Sequence, residues 1–292
     1  MIHQPSHSAR PSGRSFQNQV VIITGASSGI GEELAYQLAT QQARLVLASP
    51  ETEKLEAVAS RCREQGGEAL IVPTDVSDRY QCQQLIQQTI ATYGRIDTLI
   101  NNAGITMYST VEEIEDIHLL EHLMQVNYLG SAYCTYYALP FLKQTDGRVA
   151  AVASVAALNG VPTRSGYVAS KHAMMGFFDS LRIELMNSGV SITVLFPDIV
   201  ATGIHAHVIG SDGQPHDVSH TVNYQKAMTT KVCAAQMLRA IASRKRQLMM
   251  SNRAQVGRWV KLLIPALTDR IAKRAVTATA DQNQEVNQQC PA

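Results

Sequence analysis

The run Val20-Val21-Ile22-Ile23-Thr24-Gly25-Ala26-Ser27-Ser28-Gly29-Ile30-Gly31 organises the reading of the whole chain. Its first five residues are all β-branched and predict a short, fully buried strand. Three glycines follow at the spacing of a strand-to-helix turn. Gly25 permits the tight turn, Gly29 lets backbone approach a pyrophosphate, and Gly31 lets helix and strand pack closely. The free N–H groups at the start of the helix suit an anion, which makes Ser27, Ser28 and Ile30 further candidates for the same cradle. A glycine triplet alone is weak evidence; its position between strand and helix gives it weight.

Outward from this turn, two signals alternate. β-branched or apolar runs recur at Leu45–Ala48, Ala69–Val72, Thr98–Asn101, Arg148–Ala153, Ser191–Phe196 and Gln247–Met250. Helical spacing fills stretches such as Gly31–Thr40, Glu51–Glu64, Arg79–Tyr93, Gly166–Met186 and Lys231–Arg244. Continuous apolar strands joined by helical crossovers predict an α/β protein: a doubly wound parallel sheet of about seven strands in a three-layer α/β/α arrangement. Its ligand crevice would lie at the carboxyl ends of the strands. The expected organisation is a polar, flexible tail at 1–17, one catalytic domain at 18–250 with a lid at 203–230, a basic amphipathic extension at 251–276 and a disordered polar tail at 277–292.

The chain has 292 residues, 45% hydrophobic and 17% charged, which excludes global disorder. Five cysteines (Cys62, Cys82, Cys134, Cys233, Cys290) are scattered, without metal-ligand spacing. They imply neither a disulfide scaffold nor a structural zinc site, and point to a reducing, cytoplasmic setting. No apolar run opens the chain as a signal peptide, and none is long enough to span a bilayer. The net charge of +1 conceals an uneven distribution. Between Arg244 and Arg274 there are nine basic side chains and one acidic, against sixteen basic and twenty-three acidic elsewhere. An acidic body argues against a nucleic-acid partner.

Tyr167 and Lys171 stand four apart in a helical stretch, hence on one face, and Ser154 ends the fifth strand thirteen positions earlier. A phenol of ordinary pKa, about 10, is a poor base at neutral pH; bringing it near neutrality needs about 4 kcal/mol of preferential stabilisation of the phenolate. An ammonium one turn away, helped by a bound positive nicotinamide, is a suitable source. Near the end of the second strand no acidic residue is expected against a ribose 2′-hydroxyl, and no Arg against a 2′-phosphate. With the Ser49 and Thr52 hydroxyls nearby, NADP is slightly favoured over NAD.

Thr24–Gly31 as TGxxxGxG, Asn101-Asn102-Ala103-Gly104, Asn127, Ser154 and Tyr167-x-x-x-Lys171 occur in the order and spacing of the short-chain dehydrogenase/reductase family, which the chain resembles over residues 18–250. The resemblance implies a Rossmann fold, a nicotinamide cofactor and reversible hydride transfer between an alcohol and a ketone or aldehyde. It makes Tyr167 the general acid/base, Ser154 the group that holds the substrate oxygen, and Lys171 the group that lowers the Tyr167 pKa and bonds the nicotinamide ribose. Asn127 supports a water in a proton relay. Asp75 with Val76 would contact the adenine, Asn102, Ala103 and Gly104 its ribose, and Pro197, Ile199 and Thr202 the nicotinamide carboxamide. A homodimer or homotetramer is expected on the same ground. Asp97 reads as structural. Asp198 departs from the family's usual glycine, either as a tolerated turn residue or as one that alters cofactor orientation or pocket shape.

The lid contains His205, His207, His216 and His220, which lack acidic or thiol partners at ligand spacing and read as solvated, with no metal. Ile204, Val208 and Ile209, with Met107, Tyr108 and Val161, suggest an apolar pocket for a steroid, retinoid or lipid-like substrate. Arg253–Val276 joins basic residues to Trp259, Leu262, Leu263 and Ile264, and Pro265 should split it into two helices. Two readings stay open: it lies on an anionic membrane surface as a peripheral contact, or it packs over the pocket or at an oligomer interface. Two other functions fit the cofactor motif: a regulator or scaffold without turnover, and an extended sugar-nucleotide epimerase. The catalytic residues count against the first, and the short segment after residue 200 against the second.

Overall fold

The computed structural model describes residues 15–219 and 227–273. Most of the expected 1–17 tail, lid residues 220–226 with His220, and everything from 274 onward, the 277–292 tail and Cys290 included, fall outside the described residues. The strands are β1 (Val20–Thr24), β2 (Arg44–Ser49), β3 (Glu68–Pro73), β4 (Thr98–Asn101), β5 (Arg148–Val152), β6 (Ser191–Phe196), the two-residue β7 (Val200–Ala201), β8 (Val208–Ile209), β9 (Pro215–His216) and β10 (Met228–Thr229), and β11 (Gln247–Met249). Seven of them form one sheet in the order β11-β6-β5-β4-β1-β2-β3, every neighbouring pair parallel. Chain order reverses between β1 and β4, so the crevice opens beyond Thr24 and Asn101, where connections to the two sides diverge.

Alternation along β1 divides the core. Val21 and Ile23 face one apolar cluster with α1 (Gly29–Ala39), α2 (Thr52–Glu64) and α7 (Thr230–Ala242). Val20 and Ile22 face the other, with α3 (Arg79–Tyr93), α5 (Gly130–Gln144) and α6 (Ser165–Glu184). Each such side chain contributes about 1.5–3 kcal/mol on burial, so β1, covered on both faces, anchors the layers. Its start is fixed by Asp97, which is buried, accepts the Val20 N–H at 2.9 Å and pairs with Arg95 at 2.6 Å. That is the structural role expected for it. The α3 helix begins at Asp78, whose carboxylate accepts the Tyr80 N–H at 2.8 Å, and stops at Gly94 in the left-handed region.

Helical spacing does not single out the segment after β4. There α4 (His118–Met124), a five-residue π-helix (Gln125–Leu129) and α5 follow without a break. The π-turn inserts an extra residue and resets the apolar phase, and Pro140 lies inside α5, so no continuous 3.6-residue pattern survives.

The described part of the lid is more ordered than the expected long loop. Gly203–His207 is a 3-10 turn, and β8 and β9 form a short antiparallel hairpin around Gly213, which adopts φ 74°. Tyr108 N–H donates to Ile209 O and Ile209 N–H to Thr106 O, both at 3.0 Å, tying the hairpin to the loop after β4. At the carboxyl end α8 (Asn252–Leu263) is followed by a helical stretch at 265–273, interrupted at Ile264 before Pro265.

Candidate active site

A cavity of about 1240 Å³ opens at the carboxyl ends of the strands, large enough for a dinucleotide together with a substrate. Its floor is the loop between β1 and α1. Gly25 adopts φ +64°, and a Cβ there would lie 2.8 Å from Ala103 Cα. A Cβ on Gly31 would lie 2.1 Å from Gly25 O, so Gly31 serves helix packing and does not line the cavity. Asn102 Nδ2 donates to Thr24 O and Gly25 O, both at 3.0 Å, and Ala103 N–H to Thr24 Oγ1 at 3.1 Å. These bonds weld the loop after β4 to the glycine turn. Ser28 caps α1 with extended backbone but no side-chain bond, which leaves first-turn N–H groups for an anion. Gly25, Ser27, Ser28, Gly29 and Ile30 all line this end, and Thr202 lies against Gly29 from across the trough. The cradle fits a pyrophosphate.

At the adenosine end Ser49, Asp75, Val76, Asn102, Ala103 and Gly104 line the cavity. The expectation that no acidic group reaches this position is corrected. Glu51, two residues beyond β2, folds back into the cavity and accepts the Ser27 hydroxyl at 2.7 Å, while Ser49 Oγ donates to Ser27 Oγ at 2.9 Å. Lys54 and then Ser27 hold the Glu51 carboxyl below its ordinary pKa, so it is anionic. Thr52 opens α2 and does not line the cavity.

The chemical end is built where β5 meets α6. Ser154 follows β5, its Oγ accepting the Ala156 N–H at 3.1 Å and hydrogen-bonding the Tyr167 phenol. Lys171 is buried one helical turn from Tyr167; its Nζ donates to Val152 O at 3.0 Å and lies 5.9 Å from the Tyr167 ring centre. Burial draws Lys171 from 10.5 down to about 8. Burial raises the Tyr167 pKa, and the Ser154 bond and the Arg164 charge offset this only in part. The Lys171 ammonium is directed to the Val152 carbonyl.

Asn127 is fully buried in the π-helix and does not line the cavity. Its Oδ1 accepts the Ile105 N–H at 2.8 Å, and its Nδ2 donates to Ile105 O at 3.0 Å and Ser170 Oγ at 2.8 Å. A Cβ on Gly104 would lie 3.0 Å from Asn127 Oδ1 and 3.3 Å from Lys171 Nζ, so this glycine keeps the gap between the two side chains open.

Pro197, Ile199 and Thr202 line the opposite wall with Tyr108, Val161 and Ile204. Met107, Val208 and Ile209, expected in the same pocket, do not line it. Met107 packs with Leu119, Leu123 and Ile209 in a small core of its own, and Val208 is buried. His205 is not solvated: it is buried against the cavity, and burial followed by the Arg164 charge lowers its pKa to about 4, leaving it neutral. His207 is exposed at the rim, and His216 pairs with Asp212 at 2.9 Å, an acidic partner that sequence spacing does not reveal. Among the described residues no group of three or more His, Cys, Asp or Glu side chains could hold a metal ion.

The carboxyl-terminal helices roof the cavity, as the second of the two readings left open for this segment has it. Arg253, Val256, Gly257, Val260 and Lys261 lie on one face of α8 and line it. Asp198, at the position where glycine is the expected type, accepts Arg253 at 2.8 Å, and Lys261 Nζ donates to Leu158 O at 2.7 Å. The added Cβ and charge at residue 198 thus help hold the roof.

The family model for short chain dehydrogenases matches residues 19–212. An Arabidopsis thaliana relative, 11-beta-hydroxysteroid dehydrogenase-like 4A, is 37% identical over 257 residues, covering 88% of this chain and 84% of the relative. The 11-beta-hydroxysteroid dehydrogenase 1A of the same plant is 44% identical over 183 residues, 62% of this chain and 52% of that protein. Among solved structures, a Burkholderia phymatum short chain dehydrogenase/reductase in complex with NAD superposes with a TM-score of 0.77 at 26% identity, covering 87% of this chain and 96% of its own. An alcohol dehydrogenase from Thermococcus sibiricus complexed with 5-hydroxy-NADP gives 0.68 at 26% identity, covering 80% and 95%. The glycine cradle, the sheet order and these likenesses agree: the chain belongs to the short-chain dehydrogenase/reductase family, oxidoreductases that act on CH–OH groups with NAD(P).

Proposed function

We propose that the chain interconverts a hydrophobic alcohol and its ketone, of steroid, retinoid or long-chain lipid type, with NAD preferred over NADP. The observation that carries the reading is the grouping of Ser154, the Tyr167 phenol and the buried Lys171 amine at one end of a trough whose other end is an anion cradle. When bound there, the nicotinamide supplies the hydride for carbonyl reduction or accepts it in alcohol oxidation.

Every other step belongs to the protein. The Ser154 hydroxyl donates to the substrate oxygen and orients it. Tyr167 Oη gives that oxygen a proton in reduction and removes it in oxidation. Lys171 bonds the nicotinamide ribose and, with its charge brought to bear on the phenol, draws the Tyr167 pKa down. Asn127 holds a water that links Lys171 to solvent through the gap kept by Gly104. The glycine turn holds the pyrophosphate, Asp75 and Val76 the adenine, Asn102, Ala103 and Gly104 its ribose, and Pro197, Ile199 and Thr202 the carboxamide. Glu51 accepts the ribose 2′-hydroxyl and repels a 2′-phosphate, which reverses the preference expected from sequence.

The substrate class is supported by the wall of Tyr108, Val161, Ile204, Val256 and Val260, and by the hydroxysteroid dehydrogenase names of the relatives. A screen of NADH and NADPH oxidation over steroid, retinoid and long-chain carbonyls tests the proposal. Turnover of at least one of these classes, faster with NADH, is expected. Cofactor binding without turnover across all three would overturn it in favour of a scaffold.

A further inference from the structure

The roof of the cavity has an outer face that the catalytic reading does not use. Seven of the sixteen exposed large apolar side chains among the described residues lie within residues 256–271. Two of them, Val256 and Ile271, line the open mouth of the cavity. The other five, Trp259, Leu262, Leu263, Ile264 and Leu267, do not line it and are 41–77% exposed. Arg258, Arg270 and Lys273 are exposed alongside them, also outside the cavity lining. On α8 the division is helical: positions 253, 256, 257, 260 and 261 face the cavity, while 258, 259, 262 and 263 face away.

Charge selects the occupant. The apolar strip is bordered by basic side chains, on a segment that concentrates positive charge against an otherwise acidic chain. A tryptophan, leucines and arginines at the boundary of an exposed apolar strip match the interface of an anionic bilayer. No helix among the described residues is long and apolar enough to cross a membrane, so the contact would be peripheral. We infer that the roof helices seat the enzyme on an anionic lipid surface, with the apolar mouth beside Val256 and Ile271 turned to the lipid, so that a bilayer-dissolved substrate enters from the membrane. This rests on the hydrophobic-substrate reading above and adds where that substrate comes from.

Trp259 is the only tryptophan in the chain and reports the contact directly. The full-length protein is titrated with phosphatidylcholine vesicles containing phosphatidylglycerol and with pure phosphatidylcholine vesicles, and Trp259 emission and co-sedimentation are followed. A blue shift and pelleting with the anionic vesicles only are expected. Arg258→Gln with Arg270→Gln should weaken binding by about fivefold per charge removed. Leu262→Ser with Leu263→Ser should remove binding while reduction of a short water-soluble carbonyl continues unchanged. For a carbonyl dissolved in the vesicles, the same variant should show a raised KM. Unchanged Trp259 emission with anionic vesicles would overturn the inference. So would emission already blue-shifted without lipid, or loss of self-association in the Leu262/Leu263 variant without loss of vesicle binding, since either assigns the face to protein. Turnover of the soluble carbonyl reads the catalytic proposal separately: its failure with vesicle binding intact would count against the chemistry and not the docking.

Discussion

The floor and the roof of the cavity are held by different physics. At the floor, backbone, glycine turns and hydrogen-bonded side chains interlock: Asn102 bridges two loops, Asn127 makes three bonds, and Gly25 and Gly31 have no room for a Cβ. At the roof, the polar attachments to the body include an ion pair on a mostly exposed Arg253 and a lysine bond to a carbonyl. The floor holds chemistry common to every substrate, where a shift of about 1 Å can cost a hundredfold in rate. In the proposed function the roof covers the part of the cavity that meets the variable part of the substrate. Loops and terminal elements commonly carry this division of labour on a rigid sheet.

The largest expected effect is at the floor. Tyr167→Phe should lower kcat by about 10²- to 10⁴-fold, the usual range for a lost general acid, while cofactor binding, read by protection of NADH fluorescence, persists. Full turnover in that variant would remove Tyr167 from the chemistry. Next is a stability effect with a definite sign. Lys171 is drawn from 10.5 to about 8 by burial, so the folded protein binds fewer protons than the unfolded chain between those values. Its ammonium therefore costs about 3 kcal/mol below pH 8, and the cost fades as pH rises to 10.5. Lys171→Met should be inactive yet more stable than the parent to denaturant at pH 7, with the gap narrowing by pH 9.5. A gap that widens would refute the assignment.

Part of this contrast is legible in the amino-acid sequence. The glycine turn, the alternation of strands and helices and the Tyr167–Lys171 face can be read there because each depends on residues near in sequence with a fixed period. Ser154 is legible through its place after a strand. The π-helix is not, because an inserted residue erases the period that would announce it. Glu51 escapes a sequence reading because two residues beyond a strand end the chain direction is set by tertiary packing, and the side chain reaches back to Ser27. His205 reads as solvated because polar loop composition says nothing of which side chain turns inward. The roof reads as amphipathic, but the partner of its inner face, Asp198, is 55 positions away and looks like a turn substitution.

Smaller effects probe the cofactor selector and the roof. Glu51→Gln should shift the kcat/KM ratio for NADH over NADPH toward NADPH by about tenfold, one lost charge–phosphate repulsion near the surface. An unchanged ratio would separate Glu51 from cofactor choice. The Asp198–Arg253 pair should couple by less than about 1 kcal/mol in a double-mutant cycle of Asp198→Asn and Arg253→Gln, because Arg253 is 75% exposed. The same variants should alter KM for bulky carbonyls and leave a short carbonyl unaffected. Coupling of several kcal/mol would make the roof as rigid as the floor and dissolve the contrast.

Hydride transfer itself is the decisive event. With NADH carrying deuterium at the transferable C4 position and a long-chain or steroid ketone, mass spectrometry of the product reads whether the label reaches the carbinol carbon. The account predicts one deuterium per product from a single face of the nicotinamide with the parent enzyme, and labelled product formed about 10²- to 10⁴-fold more slowly by Tyr167→Phe with cofactor still bound. Unlabelled alcohol from the parent, or labelling at an equal rate by the Tyr167 variant, would contradict it.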